Sequence, residues 1–177
     1  MEELIRLALE LGFTGAAPMD VSRLRALPEV REMCASDRCR RYGHSWSCPP
    51  ACGTIEETAE RMRACTAGVL VQTTAQLEDE FDIETMTRAQ EEHKARFLRL
   101  ARQARLLYPD CLPLTAGSCT ICRSCTYPDR PCRFPGKMMS SMEAYGLLVS
   151  EVCKDAGIPY YYGPGTLTYS ACILIRG

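Results

Sequence analysis

The sequence is poor in the groups that ordinary acid–base catalysis uses. Of 177 residues only two are histidine, His44 and His93, and one is tryptophan. Proton transfer would therefore fall to carboxylates, tyrosines or lysines. G-x-S-x-G, H-E-x-x-H and G-x-G-x-x-G are absent, and Gly136-Lys137 lacks the upstream glycine of a phosphate-binding loop. There is no excess charge: 21 basic against 22 acidic side chains leave a net charge of -1. Neither nucleic acid nor an anionic membrane surface is expected as a partner. Long apolar runs are missing too, since Ala67–Val71 is far too short to cross a bilayer. Met1-Glu2-Glu3-Leu4-Ile5-Arg6 is acidic and amphipathic rather than a basic segment leading into an apolar one, so the expectation is no export signal and a cytoplasmic protein.

What the chain has in surplus is cysteine, twelve residues of it. The remaining composition, 46% hydrophobic and 24% charged, is that of a soluble globular protein, and the length suits one domain over residues 1–177. In a reducing compartment so many thiols do not read as structural disulfides. They point to metal or redox chemistry.

The apolar periodicity places elements around these cysteines. Leu4, Ile5, Ala8, Leu9 and Leu11 predict a helix over residues 2–11 stopped by Gly12. A short strand is expected over 13–18, and residues 20–53, with Pro28, Pro49 and Pro50, read as mostly irregular. Thr54 and Glu57 form a capping box for a helix over 55–65. Ala67–Thr74 reads as a strand buried on both faces. Met86, Ala89, His93, Phe97, Leu100, Ala104 and Leu107 make one stripe of a long helix over 86–108, in which His93 reads as a core histidine. The acids Glu78–Glu84 before it suit a helix N-terminus, or a docking patch for a basic redox partner. A strand over 112–116, a helix over 137–156 and a hairpin over 158–175 complete the expectation. The fold class is α/β, with α+β as the alternative: a mixed sheet of about four to five strands, helices packed on it, and two cysteine-rich loops.

The strongest chemical signal is Cys119-x2-Cys122-x2-Cys125, with Pro131-Cys132 seven residues on. C-x2-C-x2-C is the bacterial ferredoxin run for a [4Fe-4S] core, whose further ligand comes from elsewhere, often beside a proline. Zinc is the alternative, although structural zinc sites use paired knuckles more often than a triple run. A second set is Cys34-x4-Cys39-x8-Cys48-Pro-Pro-Ala-Cys52. Four thiolates within nineteen residues suffice for a second cluster. Either Cys52 completes the set, or three cysteines leave one iron open to act as a Lewis acid. Cys65, Cys111, Cys153 and Cys172 stand alone and read as packing residues. His44 reads as a loop histidine or a donor to cluster sulfur, Trp46 as a shield against water. Glu143 is the best acid–base candidate.

Four segments occur in order: Cys39-Arg-Arg-Tyr42-Gly43-His-Ser-Trp46-Ser-Cys48-Pro49-Pro50; the triple run; Pro131-Cys132-Arg133-Phe-Pro135-Gly-Lys137; and Ser141-Met142-Glu143-Ala144-Tyr-Gly146. Together they resemble a domain-of-unknown-function family of predicted metal-binding proteins, found mostly in anaerobic bacteria and archaea. The resemblance implies metal binding through Cys34, Cys39 and Cys48 and through Cys119, Cys122, Cys125 and Cys132, assigns no reaction, and leaves Cys52 outside the family pattern. The expected function is an iron–sulfur protein with one or two [4Fe-4S] clusters that exchanges electrons with a redox partner in anaerobic metabolism. The alternatives are an enzyme with an open iron at the first set, working by desulfuration, dehydration or reduction, and a zinc-stabilised interaction module.

Overall fold

A computed structural model describes residues Met1–Gly177. Five α-helices and four strands run in the order α1 (Glu2–Glu10), β1 (Gly15–Met19), α2 (Pro28–Ala35), α3 (Ile55–Arg63), β2 (Cys65–Gln76), α4 (Ile83–Leu107), β3 (Leu112–Leu114), α5 (Val149–Asp155) and β4 (Thr166–Arg176). The strands form one sheet in the order β1-β2-β4-β3, every pair antiparallel. This is the α+β form of the expected class; parallel pairing is confined to the isolated bridge between Thr115 and Ser141. None of the helices is long and apolar enough to cross a membrane.

Ala67–Val71 of β2 and Ala171–Ile175 of β4, which pair with each other, are continuous apolar runs because both faces of the sheet are covered there. Val69, Val71, Ala171, Ile173 and Ile175 face one core with Leu4 and Ala8 of α1 and Phe97, Leu100 and Ala104 of α4. Leu70, Cys172 and Leu174 face a second core with Met62, Leu114, Met142, Tyr145, Val152 and Cys153. The alternation follows from side chains on successive strand residues pointing to opposite faces. Each edge strand carries a proline, Pro18 in β1 and Pro113 in β3.

Three local expectations are corrected. Residues 20–53 are not wholly irregular: Pro28, with its fixed φ and missing N–H, opens α2, which carries Cys34. Residues 137–156 are not one helix. The backbone is extended at Ser140–Ser141, where Thr115 N–H donates to the Ser140 carbonyl at 2.9 Å, then forms a 3-10 turn at Glu143–Tyr145. Gly146 follows with φ 77°, and only then does α5 begin. The apolar spacing reported burial correctly, for Met142, Tyr145 and Val152 all enter the second core, but two different backbone paths supply them. Residues 158–162 are not a strand: Gln72, fully buried, donates to the Pro159 carbonyl at 2.9 Å and accepts from the Tyr162 hydroxyl at 2.7 Å.

Candidate metal centre

The first cysteine set is assembled by tertiary contacts. α2 brings Cys34 to the 3-10 turn, its thiol 4.0 Å from the Glu143 carbonyl, and the buried Cys52 thiol reaches the Ala144 carbonyl at 3.7 Å. Arg31, one turn before Cys34, locks this arrangement by donating to Ala144 O at 2.8 Å and to Gly53 O at 2.7 Å. Arg61 of α3 donates to the Cys52 carbonyl at 2.9 Å. Gly146 is required beside it: a Cβ there would meet Ile55 Cδ1 at 2.5 Å and Leu27 N at 3.0 Å. The sequence segment Ser141–Gly146 thus forms a wall of the first set.

Burial raises the thiols of Cys34, Cys48 and Cys52 above their ordinary value. For Cys34 the nearby Glu143 carboxylate adds to the effect, as do Cys39 and Cys48; for Cys52, Cys48 does. For Cys48 the Ser47 and Ser45 hydroxyls oppose the rise. Cys34, Cys39 and Glu143 line one hollow with Val30, Leu147 and Tyr160, and Glu143 Oε2 is buried with no hydrogen-bond partner.

The second set lies on a loop between β3 and the bridge at Ser141, and all four of its cysteines line one hollow. Ser45, Trp46 and Ser47 of the first segment line it with them. Burial pushes the Cys125 thiol up, but backbone N–H groups of Trp46, Tyr127 and Thr126 and the Ser45 hydroxyl outweigh it, leaving the thiol below its ordinary value. Trp46 Nε1 donates to the Arg130 carbonyl at 3.0 Å and its ring meets Tyr127 edge-on at 4.9 Å. Cys119 N–H donates to Ser47 Oγ at 3.2 Å. Trp46 therefore covers the second set rather than the set in whose segment it lies. No three Cys, His, Asp or Glu side chains converge on one point as the ligands of a single ion do.

The other expected residues divide clearly. Cys65, Cys153 and Cys172 belong to the second core and Cys111 to the first, as packing residues. The His44 side chain is exposed. His93 is fully buried, its Nδ1 2.9 Å from Thr73 Oγ1, among Phe13, Phe97 and Tyr169, and burial lowers its pKa to about 3. Sequence reasoning missed Ser47, whose Oγ lies 3.7 Å from Cys48 Sγ and accepts the Cys119 N–H, and Ser45, whose Oγ is 3.0 Å from that of Ser47. It also missed Arg31, whose position on a helix opened by Pro28 was the available signal.

The donor set suits an iron–sulfur core. Four thiols share one hollow, and the backbone N–H groups that lower the Cys125 thiol would also favour the negative charge such a core carries. No curated protein and no solved structure matches the chain. One family model does, and it runs from within β1 almost to the end of β4, taking in both cysteine sets and the Ser141–Gly146 turn. Over residues 17–175 the chain matches the model described as predicted metal-binding protein (DUF2284), and it belongs to that family.

Proposed function

We propose that this chain is an iron–sulfur electron carrier of anaerobic metabolism, working as one metal-binding domain in the cytoplasm. Cys119, Cys122, Cys125 and Cys132 would hold one [4Fe-4S] cluster, and Cys34, Cys39, Cys48 and Cys52 a second. The observation that carries the reading is the single hollow lined by all four cysteines of the C-x2-C-x2-C run and its Pro-Cys partner. A hollow suits a polynuclear core held by four thiolates, whereas tetrahedral zinc needs its ligands drawn to one point. A cluster bound there supplies one-electron chemistry. The chain's own part is to set its potential: neighbouring Trp46, Thr126 and Tyr127 N–H groups hold the Cys125 thiol below its ordinary value, and Trp46 lines the same hollow. The electron's destination would be a redox partner protein. The test is iron, zinc and acid-labile sulfide per chain after purification without oxygen. About eight irons and eight sulfides are expected for two cubanes. Stoichiometric zinc without sulfide would overturn the reading in favour of an interaction module.

One observation favours an enzyme as a second reading. The hollow beside Cys34 and Cys39 has a volume of about 580 Å³, is mostly apolar, and includes Glu143. Small-molecule sites are commonly about 300–1,000 Å³. An open iron at the first set would face this space, with Glu143 as the proton-transfer group. Cys52→Ala separates the two. A carrier needs the thiol and should lose about half its iron, whereas an open-iron enzyme should keep its iron and respond spectroscopically to substrate.

A further inference from the structure

The loop that carries the second cysteine set is charged unlike the rest of the chain. Residues 117–138 hold four basic side chains, Arg123, Arg130, Arg133 and Lys137, against one acid, Asp129. Their net charge is +3 in a chain whose total is -1, so the remaining residues together carry -4. All four cations are exposed, and none joins an ion pair within the chain. Arg133 donates to the Ser124 carbonyl at 2.9 Å and Lys137 lies 5.7 Å over the Phe134 ring, but neither contact neutralises charge. Two further cations approach the loop: Arg41 lines the hollow of the second set, and Lys94 of α4 donates to the Ser118 carbonyl at 3.1 Å.

Apolar surface lies among these charges, in Phe134, 43% exposed, and in the exposed Pro128, Pro131 and Pro135. Arginine and aromatic side chains concentrate binding energy at protein interfaces. The thiols lie close beneath. Cys119, Cys122, Cys125 and Cys132 are each partly exposed, whereas Cys48 and Cys52 of the first set are buried. The acidic run Glu78–Glu84, the patch open to a basic partner, contributes no residue to either hollow. Redox encounters are small and transient, and a surface of one sign steers them toward the opposite charge.

We propose that residues 117–138 are the docking surface for an acidic redox protein, whose carboxylates meet Arg123, Arg130, Arg133 and Lys137 and bring its redox centre over the second cysteine set. The inference deepens the electron-carrier reading and rests on it, but needs only the second cluster. One electron passes from the reduced chain to the oxidised partner, and no atom or proton moves.

The test uses the full chain, loaded without oxygen, assayed for iron, zinc and sulfide, and reduced with dithionite. It is mixed in stopped flow with two oxidants of opposite charge, an acidic blue-copper protein and the basic cytochrome c. Each takes one electron, copper(II) becoming copper(I) and haem iron(III) becoming iron(II). The second-order rate with the acidic oxidant should fall about tenfold between about 20 mM and 300 mM salt. Arg123→Glu with Arg130→Glu, neither of which lines the hollow, should keep the iron and sulfide, slow the acidic oxidant about tenfold at low salt and speed cytochrome c. Arg6→Glu with Arg63→Glu makes the same change in net charge on α1 and α3 and should leave both rates within about twofold. A rate with the acidic oxidant that ignores salt, or equal effects of the two variant pairs, would overturn the docking surface. The salt dependence of the wild type decides the matter even where the loop variant fails to load. A short DNA duplex bound at about 150 mM salt and released by the loop variant would overturn it in favour of nucleic acid. Salt-sensitive dimerisation lost in that variant would give the loop to the acidic run of a second copy. Stoichiometric zinc without sulfide would instead remove the electron-carrier reading itself.

Discussion

The two cysteine segments are built on different principles. Residues 34–52 are woven into the body of the protein: Ser45, Ser47, Cys48 and Cys52 are buried, and Arg31 and Arg61 tie the segment to the Glu143–Tyr145 turn and to α3. Residues 117–138, in contrast, include no buried residue at all. That loop holds itself together through Arg133 to the Ser124 carbonyl and Thr126 to the Pro131 carbonyl, and reaches the rest of the chain at a few points such as Trp46 and Ser47. Local stability follows buried contacts, so the first segment has a conformation of its own, and the second depends on what its thiols bind and on the first segment beside it.

The sharpest way to break this contrast is to remove ligands. Cys122→Ser should abolish metal at the second set, about half of the total iron, and leave the first set loaded. Cys48→Ser should cost iron at both, because its segment supplies Ser45 and Trp46 to the second hollow. Equal and separate losses, read by iron and sulfide analysis, would show that the two segments are independent. Next in size is Gly146→Ala, which places a side chain at φ 77° against Leu27 and Ile55. It should cost about 3 kcal/mol in urea unfolding and release first-set iron before second-set iron.

Acid loss of metal needs a control, and His93 provides it. Its folded pKa is depressed to about 3 while the unfolded value is near 6.5. Between those values the unfolded chain binds the extra proton, so stability is lost as pH falls through that window, by at most about 1.4 kcal/mol per pH unit. His93→Phe should flatten the acid limb of stability against pH without changing the pH at which the thiols release metal. If both move together, metal loss reflects scaffold unfolding. The smallest effect belongs to Trp46→Phe, which removes the bond to the Arg130 carbonyl and should cost about 1 kcal/mol. Hydrogen exchange should then rise in 117–138 and not in 45–53.

What could be read from the sequence follows the same division. The triple cysteine run was legible because its chemistry is local, and three thiols at intervals of three share a hollow whatever the scaffold. The Thr54–Glu57 capping box and the apolar run of β2 were legible for the same reason, as each is decided within a few residues. The closure of the first set was not, because it depends on Arg31 meeting carbonyls 22 and 113 residues away. The break at 140–146 was hidden because helical spacing of Met138, Met142, Tyr145 and Val149 records which side chains are apolar, not the backbone path that buries them. Thr115, in capturing Ser140, and Leu27, in packing on Gly146, decided that path from a distance.

The prolines of the outer strands have a further effect. A sheet grows by offering a row of free amides and carbonyls, and Pro18 and Pro113 each remove one amide from that row, while β3 is only three residues long. Neighbouring molecules crowded together would find no continuous ladder to extend. Self-association by strand stacking, the route to fibrils, is thereby blunted at both margins, and that protection does not depend on whether the thiols are occupied.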